Sequence, residues 1–210
     1  MKVICFVLIL TRLHLSVSSN SVKVSLYYET LCPNCIDFIK NQLHLNYKLF
    51  GKDLIQLELI PYGNAWEDGL KNFTCQHGPE ECYGNEVEGC VINSKSIDIS
   101  ESFVSCSEDL QGTSLKANLK LCAGKNQIKW EEIEECLSSG KALDIMAENE
   151  AKTGKIPLNG VPTIVFNDRF NEQESIEAQN DLKKVICKYL DNKPKICNEI
   201  HRYQPNVIIV

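Results

Sequence analysis

The segment Val22-Lys23-Val24-Ser25-Leu26-Tyr27-Tyr28 and the Cys32-Pro33-Asn34-Cys35 that follows it decide which fold we expect for this chain. The first run is apolar and rich in β-formers, which predicts a strand, and residues 36–50 predict a helix. Pro33 suits the first helical turn, where its missing N–H leaves no donor unsatisfied. Two thiols at this spacing can close and reopen a disulfide, and a helix N-terminus favours a thiolate. The segment therefore predicts a dithiol redox site formed by Cys32 and Cys35.

Zinc binding is the other common use of a C-x-x-C pair. A zinc site needs about four ligands, usually supplied by a second close pair of Cys or His residues. The chain contains no second C-x-x-C. We therefore predict no metal at Cys32 and Cys35.

Residues 1–19 predict a secretory signal peptide. Lys2 precedes an apolar run, and small residues follow it up to Ser19. No later apolar run approaches the roughly 18 to 20 residues that cross a bilayer, so we expect no membrane span. Removal of Lys2 and Arg12 with this leader leaves 20 basic against 28 acidic side chains, a net charge of −8. Such an acidic excess argues against nucleic acid as a partner.

Cysteine is abundant. Of the 11 cysteines, Cys5 lies in the leader, and an even, high count in the remainder of a secreted chain predicts disulfides. With Cys32 and Cys35 as the redox pair, eight are assigned to structural bridges: Cys75, Cys82, Cys90, Cys106, Cys122, Cys136, Cys187 and Cys197. Proximity favours Cys187–Cys197 and Cys122–Cys136, although the sequence does not fix the connectivity.

The rest of the pattern predicts one α/β domain over residues 20–190, with a tail over residues 191–210 that is open to processing. Residues 54–60 alternate apolar and polar and predict a second strand parallel to the first. An insertion of about residues 62–153 follows, irregular and disulfide-held to residue 90 and then mostly helical. Its predicted helices cover residues 100–110, 114–122, 130–137 and 141–152.

The last part of the domain returns to the sheet. A third strand is predicted over residues 160–167, because this run is rich in β-branched residues and has a proline near its start. We expect a short last strand near Arg169 and Phe170, and residues 176–190 predict a final amphipathic helix.

This order of elements resembles the thioredoxin-like fold: a dithiol after the first strand, a helical insertion, and Val161-Pro162-Thr163 entering a later strand. The resemblance implies that Pro162 is cis and that its loop, with Val161, packs beside the two cysteines and faces the substrate. Without the C-x-x-C, Pro162 would be interpreted as an ordinary proline at a strand start.

A second motif is more specific. Cys75-Gln76-His77-Gly78-Pro79-Glu80-Glu81-Cys82-Tyr83-Gly84-Asn85-Glu86-Val87-Glu88-Gly89-Cys90 matches every fixed position of C-Q-H-G-x-x-E-C-x-x-N-x-x-x-x-C. This is the signature of the gamma-interferon-inducible lysosomal thiol reductase (GILT) family, and the resemblance spans about residues 22–190.

The resemblance implies a thiol oxidoreductase that reduces disulfides in partly unfolded proteins within acidic endosomes or lysosomes, or after secretion. Family members are glycoproteins. A small-molecule thiol would serve as electron donor, so no bound cofactor is expected. The oligomeric state does not follow from the sequence.

The signature residues allow several roles. Its cysteines are interpreted as structural, and Glu81 and Asn85 as residues that cap or brace the loop. His77 either tunes the dithiol or makes local hydrogen bonds. Asn72-Phe73-Thr74 is the only N-glycosylation sequon in the chain, so we predict glycosylation at Asn72.

For the mechanism, Cys32 is the predicted nucleophile and Cys35 the resolving thiol, because Cys32 is nearer the helix start. An ordinary thiol is almost wholly protonated near pH 5, so this assignment requires a lowered pKa at Cys32. Two alternatives use the same residues: a disulfide oxidase or isomerase of the secretory pathway, and a non-enzymatic, disulfide-rich secreted binding protein.

Overall fold

The computed structural model describes residues 20–109, 113–191 and 193–198 of an α/β chain. Its strands are β1 (Val22–Tyr28), β2 (Ile55–Pro61), β3 (Trp66–Glu67), β4 (Phe73–Thr74) and β5 (Thr163–Phe166). Its helices are α1 (Pro33–Phe38), α2 (His44–Phe50), α3 (Pro79–Ser94), α4 (Ile97–Ser107), α5 (Leu115–Lys125), α6 (Trp130–Ser138), α7 (Lys141–Thr153) and α8 (Glu172–Tyr189). The predicted signal peptide and most of the tail lie outside the described residues.

The central sheet has three strands in the order β2–β1–β5. Strand β1 runs parallel to β2, with Val22 opposite Ile55, and antiparallel to β5, with Val24 opposite Phe166. The even-numbered residues of β1, from Val22 to Tyr28, face the main core, whereas Tyr27 packs with Ile60 and Val165 in a smaller cluster on the other face. The dithiol segment follows the carboxyl end of this central strand.

The predicted helix over residues 36–50 is present, but it contains an irregular turn. Helices α1 and α2 are joined by a π-helical turn at Ile39–Leu43. Within this turn the Gln42 side chain accepts a hydrogen bond from the Leu182 N–H at 3.1 Å and donates to the Asn180 carbonyl at 3.0 Å. These two contacts flank Asp181, where α8 is kinked. One side chain thus joins the irregular positions of two packed helices.

The insertion between β2 and β5 is mostly helical, as predicted, and contains α3 to α7. The expectation of irregular structure as far as residue 90 is wrong, because α3 begins at Pro79. Proline is favoured at the first helical position, and Glu80 and Glu81 supply negative charge at the N-terminus. Among the described residues of the insertion, the part before α3 contains just the short hairpin β3–β4.

The short last strand expected near Arg169 and Phe170 is also wrong. A single bridge joins Phe166 and Arg169 across a tight turn. Asn167 and Asp168 form this turn with positive φ angles of 49° and 58°. Helix α8 then begins at once, since the Asn171 side chain caps it by accepting the Glu174 N–H, so no room remains for a strand.

Four disulfides pair the eight cysteines that were assigned to structural bridges: Cys75–Cys82, Cys90–Cys136, Cys106–Cys122 and Cys187–Cys197. The Cys187–Cys197 pair is the one that proximity favoured. The Cys122–Cys136 pairing is wrong, because Cys122 on α5 faces α4 and Cys136 on α6 faces α3. Among the described residues, no helix combines the length and apolar character needed to span a membrane.

Candidate active site

Cys32 and Cys35 lie at the start of α1, directly after the β1 end. Both thiols are free, and their exposed fractions are 6% and 0%. Cys32 is the N-cap of the helix, and its sulfur accepts the Cys35 N–H at 3.4 Å. The helix start thus places one thiol at the edge of the protein surface and the other beneath it.

The loop before β5 meets this pair. The Val161–Pro162 peptide bond is cis, as the fold resemblance implied. The Cys32 thiol lies 3.8 Å from the Val161 carbonyl oxygen. Gln179 of α8 holds the loop by donating to the Pro162 carbonyl at 3.0 Å. The structure therefore brings Cys32, Val161 and Pro162 together from distant parts of the chain.

The pKa values of the two thiols are shifted in opposite directions. Hydrogen bonding from the Cys35 thiol and from the N–H groups of Cys35 and Asn34 outweighs desolvation and lowers the pKa of Cys32 to about 6. Burial raises the pKa of Cys35 far above its ordinary value, and the hydrogen bond to Cys32 adds to this effect. Cys32 is therefore the thiol that ionises, and Cys35 the one that keeps its proton.

Helix α3 braces the loop that leads into the dithiol. The Thr30 N–H donates to Oδ1 of Asn85 at 3.1 Å, and the Thr30 hydroxyl donates to the Glu81 carbonyl at 3.1 Å. Gly84, between Glu81 and Asn85 on α3, lies against the Thr30 side chain. The bracing role hypothesised for Glu81 and Asn85 agrees with these contacts.

A cluster of ionisable groups lies beside the same loop. Nδ1 of His77 contacts the Glu81 carboxylate and lies 3.7 Å from Oε2 of Glu29. Within the described ranges, the donor atoms of these three residues lie within 4.8 Å of one another, a spacing that three metal ligands can have. Because the ring nitrogen faces Glu81 as a hydrogen-bond partner, we assign the group as a hydrogen-bonded cluster.

Two further carboxyl groups are buried beneath the dithiol. Glu88 of α3 accepts hydrogen bonds from the Tyr28 hydroxyl at 2.6 Å and from the Ser107 hydroxyl at 2.7 Å. Burial raises the pKa of Glu88 to about 7 and that of Glu108 well above its ordinary range. The hydrogen bonds of Glu88 join α3 to β1 and to the end of α4.

Comparison with known proteins identifies the family. The family described as "Gamma interferon inducible lysosomal thiol reductase (GILT)" matches residues 23–126. GILT-like protein 1 of Drosophila melanogaster is 34% identical over 201 residues, covering 87% of this chain and 80% of that protein. The gamma-interferon-inducible lysosomal thiol reductase of Carassius auratus is 32% identical, covering 87% and 74%.

This chain belongs to the GILT family.

Membership in a family named for thiol reductases makes this protein a thiol oxidoreductase, and it removes the alternative of a non-enzymatic binding protein. Solved structures agree on the fold. A thioredoxin-like oxidoreductase from Silicibacter pomeroyi aligns with a TM-score of 0.52 at 14% identity, covering 77% of this chain and 86% of its own. Reduced DsbA1 from Neisseria meningitidis aligns with a TM-score of 0.52 at 16% identity, covering 83% and 87%. The thioredoxin-like prediction is therefore confirmed.

Three buried carboxyl groups near the dithiol were not predicted from the sequence: Glu29, Glu88 and Glu108. Glu29 carried a signal, because it is a carboxylate directly after β1 and three positions before Cys32. Asn72 lies exposed between β3 and β4, where its side chain donates to Asp68 at 3.0 Å. Glycosylation at Asn72 stays a prediction.

Proposed function

We propose that this protein reduces disulfides of partly unfolded protein substrates in an acidic endosomal or lysosomal compartment, or after secretion, with Cys32 as the nucleophile and Cys35 as the resolving thiol. The observation that carries the proposal is the asymmetry between the two thiols. The pKa of Cys32 is lowered to about 6, whereas that of Cys35 is raised by burial.

The reaction proceeds by two exchanges. The Cys32 thiolate attacks one sulfur of the substrate disulfide, forms a mixed disulfide and releases the other sulfur as a thiolate that takes up a proton. Cys35 then loses its proton and attacks the Cys32 sulfur, which expels the second substrate thiol. The enzyme is left with a Cys32–Cys35 disulfide. Two equivalents of a small-molecule thiol reduce it again, so the cycle requires no bound cofactor.

Acid conditions fit the Cys32 environment. A thiol with a pKa of about 6 is roughly one-tenth thiolate at pH 5, whereas an ordinary thiol is ionised in only about one molecule in several thousand. The difference of two to three orders of magnitude supports reduction in an acidic compartment. Glycosylation at Asn72 would accompany passage through the secretory pathway.

Substrate would approach over the loop that contains Val161 and Pro162. Next to this loop lies a groove of about 200 Å³, bounded by the start of α8. Ile176, at the groove, is 50% exposed, which offers an apolar contact to an unfolded chain. The groove is open along one side. It therefore fits an extended polypeptide better than a small molecule, which usually binds in an enclosed pocket.

Insulin reduction at pH 5 and pH 7 tests the proposal with wild type, Cys32→Ser and Cys35→Ser. We expect turnover by wild type at pH 5 and loss of activity in both variants. Cys35→Ser should accumulate a covalent adduct with substrate through Cys32, which dithiothreitol releases. Full activity of Cys32→Ser at pH 5, or no adduct with Cys35→Ser, would refute the assignment.

A disulfide oxidase or isomerase is the second candidate, and one observation favours it. Stabilisation of the Cys32 thiolate favours the reduced dithiol, which makes the oxidised form a stronger oxidant. Equilibration with glutathione buffers measures the reduction potential. A value close to those of strong oxidants would select this candidate, and a value close to those of reductases would select the first.

A further inference from the structure

His77, a signature residue in the turn that precedes α3, is fixed between two carboxylates. Glu81 accepts the His77 backbone N–H at 3.0 Å with one carboxylate oxygen and contacts Nδ1 with the other. Glu29 lies on the other side, with its Oε2 3.7 Å from Nδ1. Glu81 thus contacts both the backbone and the ring of His77. Because Glu81 lies on α3, this helix determines where the imidazole lies.

Glu29 connects this imidazole to the dithiol loop. Its side chain is fully buried, and its Oε1 accepts the Asn64 N–H. Oε2 has no hydrogen-bond partner among the described residues. Gly63, next to Asn64, leaves space for this carboxyl, since a Cβ there would lie 2.6 Å from the Glu29 Cδ. A buried carboxyl oriented in this way needs either a proton or a neighbouring cation.

We propose that Glu29, His77 and Glu81 form a proton-sharing cluster that positions an imidazolium beside the dithiol, so that the electrostatic stabilisation of the Cys32 thiolate is greater at acid pH than at neutral pH. His77 is the positioning residue, and Glu29 is the group that opposes it when ionised. The inference rests on the proposed function, because it explains how the same dithiol works at acid pH.

The charges around the cluster change together with pH. Partial burial by itself lowers the pKa of His77, but the hydrogen bond and charge of Glu81, with the charges of Glu29 and Cys32, raise it above its ordinary value. Burial raises the pKa of Glu29 to about 7. At pH 5 the imidazole is therefore charged and the Glu29 carboxyl neutral. At pH 7.5 the imidazolium is less populated and Glu29 is largely ionised, and both changes disfavour a nearby thiolate.

The other groups that face Cys32 do not produce this reversal. Cys35 and the Asn34 N–H act through hydrogen bonds that persist over this pH range, since the pKa of Cys35 is raised far above it by burial. Burial raises the pKa of Glu108 well above its ordinary range, and its charge and that of Cys32 act on each other. The imidazole is the one group among these that is positive at acid pH.

The test measures Cys32 directly. Full-length reduced protein is alkylated with iodoacetamide from pH 4 to pH 9, and the site is assigned by peptide mass. His77→Gln should raise the pKa of Cys32 by roughly 0.5 to 1 unit and slow alkylation at pH 5 by about 3- to 10-fold. Glu29→Gln should act in the opposite direction, with faster alkylation between about pH 6 and pH 7 and a steeper pH profile, because no carboxyl then ionises beside the thiol in the same range.

His44→Gln is the matched control, because Nδ1 of His44 makes a similar ion pair with Glu101 at 2.8 Å, between α2 and α4. We expect its alkylation profile to equal that of wild type. The proposal is overturned if His77→Gln and His44→Gln give the same profile. It is also overturned if His77→Gln and Glu29→Gln shift the profile in the same direction, which indicates damage to the loop.

Alkylation and turnover separate the two proposals. A shifted Cys32 profile in protein that does not reduce insulin would support the cluster and refute the reductase function. Normal insulin reduction with an unshifted profile would refute the cluster alone. Far-UV circular dichroism and thermal unfolding identify any variant that fails to fold. If His77→Gln does not fold, His77→Asn takes its place in the same comparison.

Discussion

Gly84 of α3 packs directly against the Thr30 side chain in the loop that carries the dithiol. A Cβ at this position would lie 2.9 Å from the Thr30 Cβ. Thr30 is 2% exposed and donates hydrogen bonds to both Asn85 and Glu81, so it cannot move aside without breaking them. The absence of a side chain at Gly84 thus determines how closely the signature helix approaches Cys32.

We therefore expect Gly84→Ala to destabilise the protein by about 1–3 kcal/mol, because overpacking at a buried contact forces backbone shifts. Urea unfolding of the disulfide-intact protein measures this loss. Gly124→Ala is the control, since Gly124 also lies in a helix but nothing lies within 4 Å of its added Cβ. In Gly124→Ala, stability should be unchanged or rise by up to about 1 kcal/mol. Equal effects of the two substitutions would contradict the close approach at Thr30.

At the scale of elements, strand β1 and the dithiol helix were predictable because their signals are local. The apolar run, Pro33 and the following helix periodicity lie within one stretch of sequence. Helix α3 was not predictable in this way, since Gly84, Asn85 and Gly89 lower its helix propensity. Its stability comes from packing, because it lies against β2 and the four other helices of the insertion. Tertiary contacts outweigh propensity there.

The candidate site shows the same limit. Cys32 and Cys35 follow from spacing, and the loop at Pro162 follows from resemblance to a fold. The contact between Glu29 and His77 depends on how α3 docks onto the loop, which no local pattern encodes. The disulfide pairing failed for this reason too, since Cys136 pairs across 46 residues with Cys90 rather than with a nearer cysteine.

The disulfides of α3 lead to a second prediction. Cys90–Cys136 closes a loop of 46 residues, whereas Cys75–Cys82 closes one of 7. Replacing both cysteines of the long loop with Ala should cost about 3.5–4 kcal/mol, and the same change in the short loop about 2.4 kcal/mol, from the loss of chain constraint in the unfolded state. Urea unfolding of each double variant measures the difference. Equal losses, or a larger loss for the short loop, would contradict loop closure as the cause.

Across the whole molecule, buried carboxyl groups outnumber the buried cations that would neutralise them among the described residues. Fully or almost fully buried examples are Glu29, Glu81, Glu88, Glu101 and Glu108, against Lys183. Burial raises the pKa of Glu29 and Glu88 to about 7 and raises those of Glu101 and Glu108 from their ordinary values. The folded protein therefore holds protons that the unfolded chain releases between about pH 4.5 and pH 7.

This difference predicts that the protein is more stable at pH 5 than at pH 7.5. A carboxyl whose pKa is raised in the folded state contributes stability at low pH and loses it as the pH rises through the folded pKa of about 7. The raised pKa of His77 acts in the same direction. The lowered pKa of Cys32 opposes it above about pH 6, but this is one thiol against several buried carboxyls. Glu58 does not oppose it in this range. Although burial alone would raise the pKa of Glu58, Lys152 and Lys23 lower it to about 2, and stability from such a group is lost only at more acidic pH.

Guanidinium unfolding of the disulfide-intact protein at both pH values measures the difference, which we expect to be about 1–3 kcal/mol. Glu88→Gln is the informative variant, because it removes one titrating carboxyl but retains an oxygen that accepts from Tyr28. We expect its free energy of unfolding to depend less on pH than that of wild type. Stability that rises from pH 5 to pH 7.5 would show that these carboxyls are ionised in the folded protein. The buried carboxyls would then not make the fold more stable in an acidic compartment. Any preference of the activity for acid pH would have to come from Cys32 and its neighbours alone.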